Sequence, residues 1–469
     1  MTTVSTELGE RDTRALRGTF SGDVIFPQDA GYEEARRVWN GSIDKRPAAV
    51  LRPADESAVA AALAFARSRG LVVSVRGGGH NVAGFGTCDG GIVIDLSRMR
   101  DVEVDPSARR ASVGGGALWS DVDTVTQQHG LAVTGGLISS TGVGGFTLGG
   151  GIGWMQRKHG LACDSLVSVT LVTAAGDVVD VSADSDPELF WALRGGGGNF
   201  GIATRFEFDL HPLGPEVAAG LVFYTRDGYH EVVRGFREFA SGAPDEAMAA
   251  CVSRLAPPAP FLPEEHHGKP VVAVAGCYSG PAEEGMEVLR PLKELGAPIG
   301  DVLMPRPYLQ LQSMLDPSWG PGFGNYWKAE YLRGLPDEAI DVLASALDAI
   351  TSPLSDFKIP MLGGAVARVG EDDTAYGHRG APFVLNINAR WGPGAAEEPH
   401  VKWTRSLWDS MQPFSDGGSY VNFMGEEGSD RVRAAYGDDK YDRLVAVKDR
   451  LDPDNVFRLN QNIVPSSSP

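Results

Sequence analysis

Glycine is distributed very unevenly along this chain. Of 60 glycines in 469 residues, 27 lie between Gly77 and Gly201. No G-X-Y period runs through them, which excludes collagen. Regular core strands cannot tolerate such density, because glycine weakens a strand and gives it nothing to pack. A flexible linker is excluded by the apolar residues set among the glycines, Leu137, Ile138, Val143, Phe146 and Leu148. The segment must therefore bring backbone close to a ligand, or adopt positive φ, many times over.

The remaining composition narrows the function. At roughly 150 residues per domain the length suits two or three domains. A formal net charge of −19 opposes nucleic acid and anionic lipid, so neither is an expected partner. Cys88, Cys163, Cys251 and Cys277 are scattered without a CxxC pair, so no metal site and no disulfide framework is expected. No run approaches 18 apolar residues, and the opening MTTVSTELGERDTRALRG has no apolar core. The expectation is a reduced, cytoplasmic protein; its oligomeric state is open.

The first 40 residues are polar and predict a short helix. A β-α-β unit follows: a strand at 48–51, a helix capped by Asp55 and stopped at Gly70, and a strand at 71–75. The pattern recurs with strands at 92–94 and 102–104 and a helix capped by Ser120 and stopped at Gly130. Strands are predicted at 166–172, 178–181 and 206–210. From about 214 proline and aromatics rise, and a second α+β unit is expected over 215–412, including a strand at 271–275 and a helix at 337–350. A helix at 441–450 belongs to the tail.

Three glycine motifs stand out. In RGGGHN a strand feeds bare amides suited to a pyrophosphate, although a lone His80 is ordinarily structural. The stretch 135–153 reads as a backbone cradle for a flat or charged ligand. The match at Gly196–Gly201 follows a helix-like PELFWALR and precedes a strand, the reverse of the dinucleotide fingerprint, so a Rossmann site is rejected. Cys163, in HGLACD, reads by itself as a small buried hydrophobe. The His266-His267 pair reads as a surface loop.

Together RGGGHNVAG, the GG-x-x-x-x-TG-x-GG-x-x-LGGG-x-GW stretch, KHGLACDS, LFWALRGGGGNFGI and YDRLVAVKDRLDPDNVFRLNQNI resemble, in order, the FAD-linked oxidases similar to berberine bridge enzyme, within the vanillyl-alcohol-oxidase-type flavoproteins. The resemblance is close over 45–214 and 413–464. It implies an α+β fold: a two-part FAD-binding domain (1–214 and 413–469) with an inserted α+β substrate domain (215–412). It further implies FAD linked covalently through His80 at the 8α-methyl and Cys163 at C6, with a small-molecule substrate and O2 as partners.

The same resemblance places FAD contacts at Arg76, Gly77, Gly78, Gly79, Asn81 and Gly84. It adds Ser140, Thr141, Gly142, Gly145, Gly149, Gly150 and Gly153 along the cradle, then Gly201 and Ile202, and Tyr420, Asn422 and Asn462 from the tail. Alcohol-oxidising relatives often carry tyrosine at the fourth place of Y-x-N-Y; here that place is Phe423, which has no proton to exchange. Tyr420 and Tyr376 are then the catalytic candidates, with Tyr326 and Lys328 as further residues that could face the pocket. An oxidase of an alcohol, sugar or polyketide-like substrate in specialised metabolism is implied. An oxidative cyclase or an O2-insensitive dehydrogenase is the alternative that Phe423 raises.

Overall fold

The computed structural model describes residues 8–467. Three sheets organise them. The first has four strands in the order Gly22–Ile25, Ala49–Pro53, Ile92–Asp95, Val73–Arg76. Its last three strands are parallel, joined through the helix Glu56–Ser68, and Gly22–Ile25 pairs antiparallel at the edge. The helix begins where expected: the Asp55 carboxylate accepts from the Ala58 N–H at 2.8 Å, and Gly70 takes φ +62° just past its end.

The second sheet departs from the expected recurrence. Its five strands, Val102–Asp105, Arg110–Gly114, Ile202–Asp209, Leu166–Val172 and Val178–Ser182, are all antiparallel. The turn after Asp105 folds the chain straight back, with Arg109 at φ 51°, so no crossover helix is needed. The following helix runs Trp119–Thr126, and Ser120 lies inside it. The Asp121 carboxylate reaches back to the Leu118 N–H at 2.8 Å and displaces Ser120 from the cap. PELFWALR does form a helix, Pro187–Leu193, which packs with the C-terminal helix Asp438–Leu451 through Trp191, Leu444 and Val447 in one core.

The third sheet has eight strands. Seven follow the order Pro298–Asp301, Glu216–Thr225, Pro270–Tyr278, Ala247–Leu255, Asp356–Pro360, Phe383–Trp391, Gly324–Leu332, and Met304–Pro307 also pairs with Glu216–Thr225. Phe357, Ile359, Leu385, Ile387 and Ala389 join the largest apolar core. The same core takes Val232, Val233 and Phe236 of Tyr229–Gly242, Leu343 and Leu347 of Asp337–Asp348, and Trp403 and Leu407 of Glu398–Met411. Strand side chains alternate, so Asp356, Lys358, Asn386, Asn388 and Arg390 must all project from the other face. No described helix is long and apolar enough to cross a membrane.

His159 and His211 stack with ring centroids 3.9 Å apart and planes 13° apart. His211 lies in the short strand His211–Pro212, which pairs with Leu131–Ala132; its Nε2 is 3.1 Å from Ser165 Oγ. Burial pushes His159 down to about 3, helped by His211 and Lys158, and also lowers His211 against the opposing pull of Asp209. Both rings are therefore neutral in the folded chain, whereas the unfolded chain protonates them below about 6.5. Stability is full above that pH and falls as pH drops through the window toward 3. Thermal midpoints measured from pH 7 to pH 4 should fall, and the double variant His159→Phe, His211→Phe should flatten part of that fall.

Candidate active site

The strand Val73–Arg76 delivers the chain into Gly77, Gly78 and Gly79. Among the described residues no acceptor meets the backbone N–H groups of Gly77, Gly78, Gly79 or His80. Four successive free donors, with Gly79 at φ +69°, form a concavity suited to an anion. A Cβ on Gly78 would lie 2.3 Å from the backbone N of Gly142, so two glycine segments touch main chain to main chain. His80 is half-buried; its Nε2 lies 2.9 Å from the hydroxyl of exposed Ser140. Burial pushes its pKa down to about 4, which keeps the imidazole neutral with a lone pair available.

The glycines of 135–153 divide into two kinds. Gly149 and Gly150 are closed over by protein: a Cβ would meet the Asn422 carboxamide at 2.1 Å and the Tyr376 ring at 2.5 Å respectively. Gly153 lies against the carbonyl of Gly135. Gly145 is exposed in the helix Val143–Leu148, with nothing within 4 Å of its Cβ position. The Thr141 carbonyl accepts from the Trp119 N–H at 3.0 Å, which anchors the cradle to the second sheet.

Tyrosines fill the far end. The Tyr420 oxygen accepts from the N–H groups of Gly151 (3.0 Å) and Ile152 (3.3 Å) and from Asn422 Nδ2 (2.7 Å). Burial drives this phenol up to about 12, while those three donors pull it down by favouring the phenolate. Tyr376 accepts a 2.6 Å bond from the Tyr331 hydroxyl, and burial raises both phenols further still. Cys163 is fully buried in the same cluster as Tyr331, Tyr376 and Tyr420. Burial, and then Asp164 beside it, hold its thiol well above the ordinary value, with Arg379 and Arg194 opposing.

An unforeseen aromatic path joins the two ends. His80 stacks on Trp39 (5.2 Å), Trp327 stands edge-on to Trp39 (5.7 Å) and to Phe423 (6.1 Å), and Phe423 meets Tyr420 at 4.7 Å. None of these tryptophans follows from a motif. The available signal was the aromatic crowding of PSWGPGFGNYW, which holds Trp327 but not Trp39.

Several of the expected contact residues have side chains engaged within the protein. Arg76 is buried and its guanidinium is already committed: to the carbonyls of Ala35 (2.6 Å) and Arg37 (3.1 Å) and to Asp95 (2.8 Å). It braces the sheet through these three bonds. The Asn81 side chain accepts from the Phe85 N–H, and a Cβ at Gly84 would strike Ile43, so both shape the loop itself. Gly201 and Ile202 pack into the core against Leu171 and Val172. Tyr326 and Lys328 point to the helix side of their strand: Tyr326 accepts from Arg405 at 3.0 Å, and the Lys328 ammonium sits 4.2 Å from the Trp408 ring. Asn462 keeps a buried Oδ1 without a partner.

The residues present fit a dinucleotide. The free amide row suits a pyrophosphate, open Gly145 lets a flat ring approach, and the unpartnered Asn462 oxygen awaits a donor. The flat cradle walled by rings and tyrosines is that of a flavin oxidoreductase. Residues 47–182 match the FAD binding domain family model, and 419–464 match the model for berberine and berberine-like proteins. The chain is 31% identical over 457 residues to (R)-6-hydroxynicotine oxidase of Paenarthrobacter nicotinovorans, covering 96% of this chain and 98% of that one. It is 30% identical over 456 residues to an uncharacterized FAD-linked oxidoreductase of Bacillus subtilis, covering 95% and 97%. The crystal structure of 6-hydroxy-D-nicotine oxidase from Arthrobacter nicotinovorans superposes with a TM-score of 0.85 at 30% identity, covering 95% and 98%. The chain belongs to the berberine-bridge-enzyme-like family of FAD-linked oxidoreductases.

Alanine at Gly145 enters open space and gains helix propensity of about 0.5–1 kcal/mol, so folding should be unharmed. Bound flavin per chain, read from the visible absorbance of purified Gly145→Ala, should nevertheless fall several-fold, with an unchanged or higher melting temperature for flavin-free protein produced under riboflavin limitation.

Proposed function

We propose that this enzyme is a cytoplasmic oxidase with a doubly attached flavin, acting on a small or medium organic substrate and producing H2O2 in specialised metabolism. Residues 1–214 and 413–469 hold the FAD, and 215–412 closes over it and shapes the substrate pocket. The reading rests above all on His80, a neutral imidazole at the end of a row of free amides and opposite Ser140. Bound FAD would supply a hydride acceptor for the substrate and a two-electron donor to O2.

The chain's own groups have separable tasks. His80 would hold the flavin at its 8α carbon and Cys163 at C6. The amides of Gly77–His80 receive the pyrophosphate. Tyr420, whose oxygen already accepts three N–H bonds, takes the proton from the substrate O–H or N–H. Tyr376, receiving from Tyr331, keeps its own proton to donate. Phe423 supports one further reading: an enzyme lacking the usual tyrosine there could run a cyclisation, or shun O2 as a dehydrogenase. Reoxidation of reduced enzyme by O2 in stopped flow separates these, since slow return of the oxidised spectrum identifies the dehydrogenase.

Acid-precipitated protein should stay yellow, and peptide masses should carry flavin at both His80 and Cys163. Each single variant, His80→Ala or Cys163→Ala, should keep one link, and the double variant should release all flavin. Because the thiolate is the attacking form and burial keeps Cys163 a thiol, its attachment during reconstitution should rise from pH 6.5 to pH 8.5. Flavin released in full from the unaltered protein ends the proposal.

Tyr420→Phe should lower kcat by about 10²–10⁴-fold, the usual contribution of a general base, and shift the ascending limb of the kcat–pH profile, along which a base loses its proton. Loss of stability without that shift would assign the phenol to structure alone.

A further inference from the structure

The face of the eight-stranded sheet turned away from the helices carries a buried charged group that the reading above leaves without a task. Across four strands the register sets Arg254 beside Asp356, Asp356 beside Asn388 and Asn388 beside Trp327. One step along, Lys358 pairs with Asn386. Arg390 projects from the same face beside Asn325. This face is turned toward the cradle: Trp327 meets Trp39 and Phe423, and Tyr331 meets Tyr376.

Charge on it is unbalanced. Among the side chains these four strands direct to this face, Arg254, Lys358 and Arg390 share one carboxylate, Asp356, in a chain whose total charge is −19. Lys358 Nζ lies 3.1 Å from Asp356 and 4.1 Å from the Trp319 ring, and Trp319 stacks on Trp39, which stacks on His80. Four polar atoms on this face are buried without partners: Arg390 Nε, Asn388 Oδ1, Asn325 Oδ1 and Trp327 Nε1. Arg390 is engaged by the Ser318 and Gly320 carbonyls, which leaves half-buried Lys358 and Arg254 with one carboxylate between them, an arrangement that an anion would complete.

We propose that this face is an anion seat and that the substrate is a planar aromatic molecule bearing an ionised oxygen, a carboxylate or a phenolate, held by Lys358 with its ring against the packed Trp319–Trp327–Trp39 cluster. The assignment rests on the reading that this face closes over the flavin. Lys358 binds the charge, Asp356 keeps the ammonium in place, and the tryptophans admit a flat ring and reject a bulky aliphatic one.

The test uses purified full-length protein and two pairs of probes: benzoate against benzamide, and 4-nitrophenolate against nitrobenzene. Quenching of tryptophan fluorescence reports binding beside Trp319 whether or not flavin is attached, and perturbation of the flavin spectrum reports proximity to the cofactor. At least one anion should bind tenfold or more tightly than its neutral partner, and the tighter anion identifies the oxygen. Lys358→Met should erase that preference and Lys358→Arg should retain it. Asp356→Asn, which frees the ammonium, should tighten anion binding several-fold. Equal binding of anion and neutral partner, or a preference that survives Lys358→Met, overturns the seat. Anion binding that quenches fluorescence but leaves the spectrum of attached flavin unchanged keeps the seat and removes its place over the cofactor.

Discussion

The contact on which the site depends is the approach of Gly78 to Gly142. A side chain on either would come within 2.3 Å of the other's backbone nitrogen. The contact locks the loop after a parallel strand to the segment that opens the helix Val143–Leu148. It thereby fixes His80 opposite Ser140 and leaves four amides of the loop unpaired. A bulkier pair would separate the two segments, and the row of donors would lose its partner wall. Neither sheet alone makes this geometry. It arises because glycine permits two main chains to meet where side chains would otherwise keep them apart.

Much of this was legible from the residues. The Asp55 cap, the Gly70 stop and the helix before Arg194-Gly195 follow from local chemistry that tertiary packing did not override. The departures have physical causes. Ser120 lost the cap to Asp121, whose carboxylate reaches back to Leu118. Arg76 looked free because nothing local reveals Asp95, which becomes its neighbour only when parallel strands align. Tyr326 and Lys328 were candidates to face the pocket. A strand alternates, however, so the neighbours of an inward-facing tryptophan must face outward.

That alternation also explains the most informative omission. DFKIP and FVLNINARW alternate polar and apolar residues, which reads as a half-solvated strand. Here both faces are buried, because helices cover one and the glycine-rich part covers the other, so the polar face becomes interior. Single-strand patterns cannot distinguish solvent from a cavity lined by another part of the chain. A useful signal is amide and guanidinium side chains at alternate positions, as in Asn386, Asn388 and Arg390, where a solvated face would ordinarily carry flexible Lys and Glu.

The two ends of the site are electrostatically unlike, and that difference divides their work. At the His80 end, desolvation keeps an uncharged imidazole beside free N–H donors, an environment that welcomes phosphate charge. At the tyrosine end, the phenols are packed against one another and against the Asp164–Arg379 pair, where Arg379 bonds both carboxylate oxygens at 2.7 and 3.1 Å. That pair sets opposite charges beside Cys163 at fixed positions: the carboxylate holds the thiol protonated and the guanidinium draws toward thiolate. The aromatic path between these ends carries no charge of its own, so neither end screens the other. A flat ring spanning the path would therefore meet a donor-rich pole at one side and a proton-holding pole at the other, which is the asymmetry a two-electron carrier needs if proton and hydride are to leave the substrate by different routes.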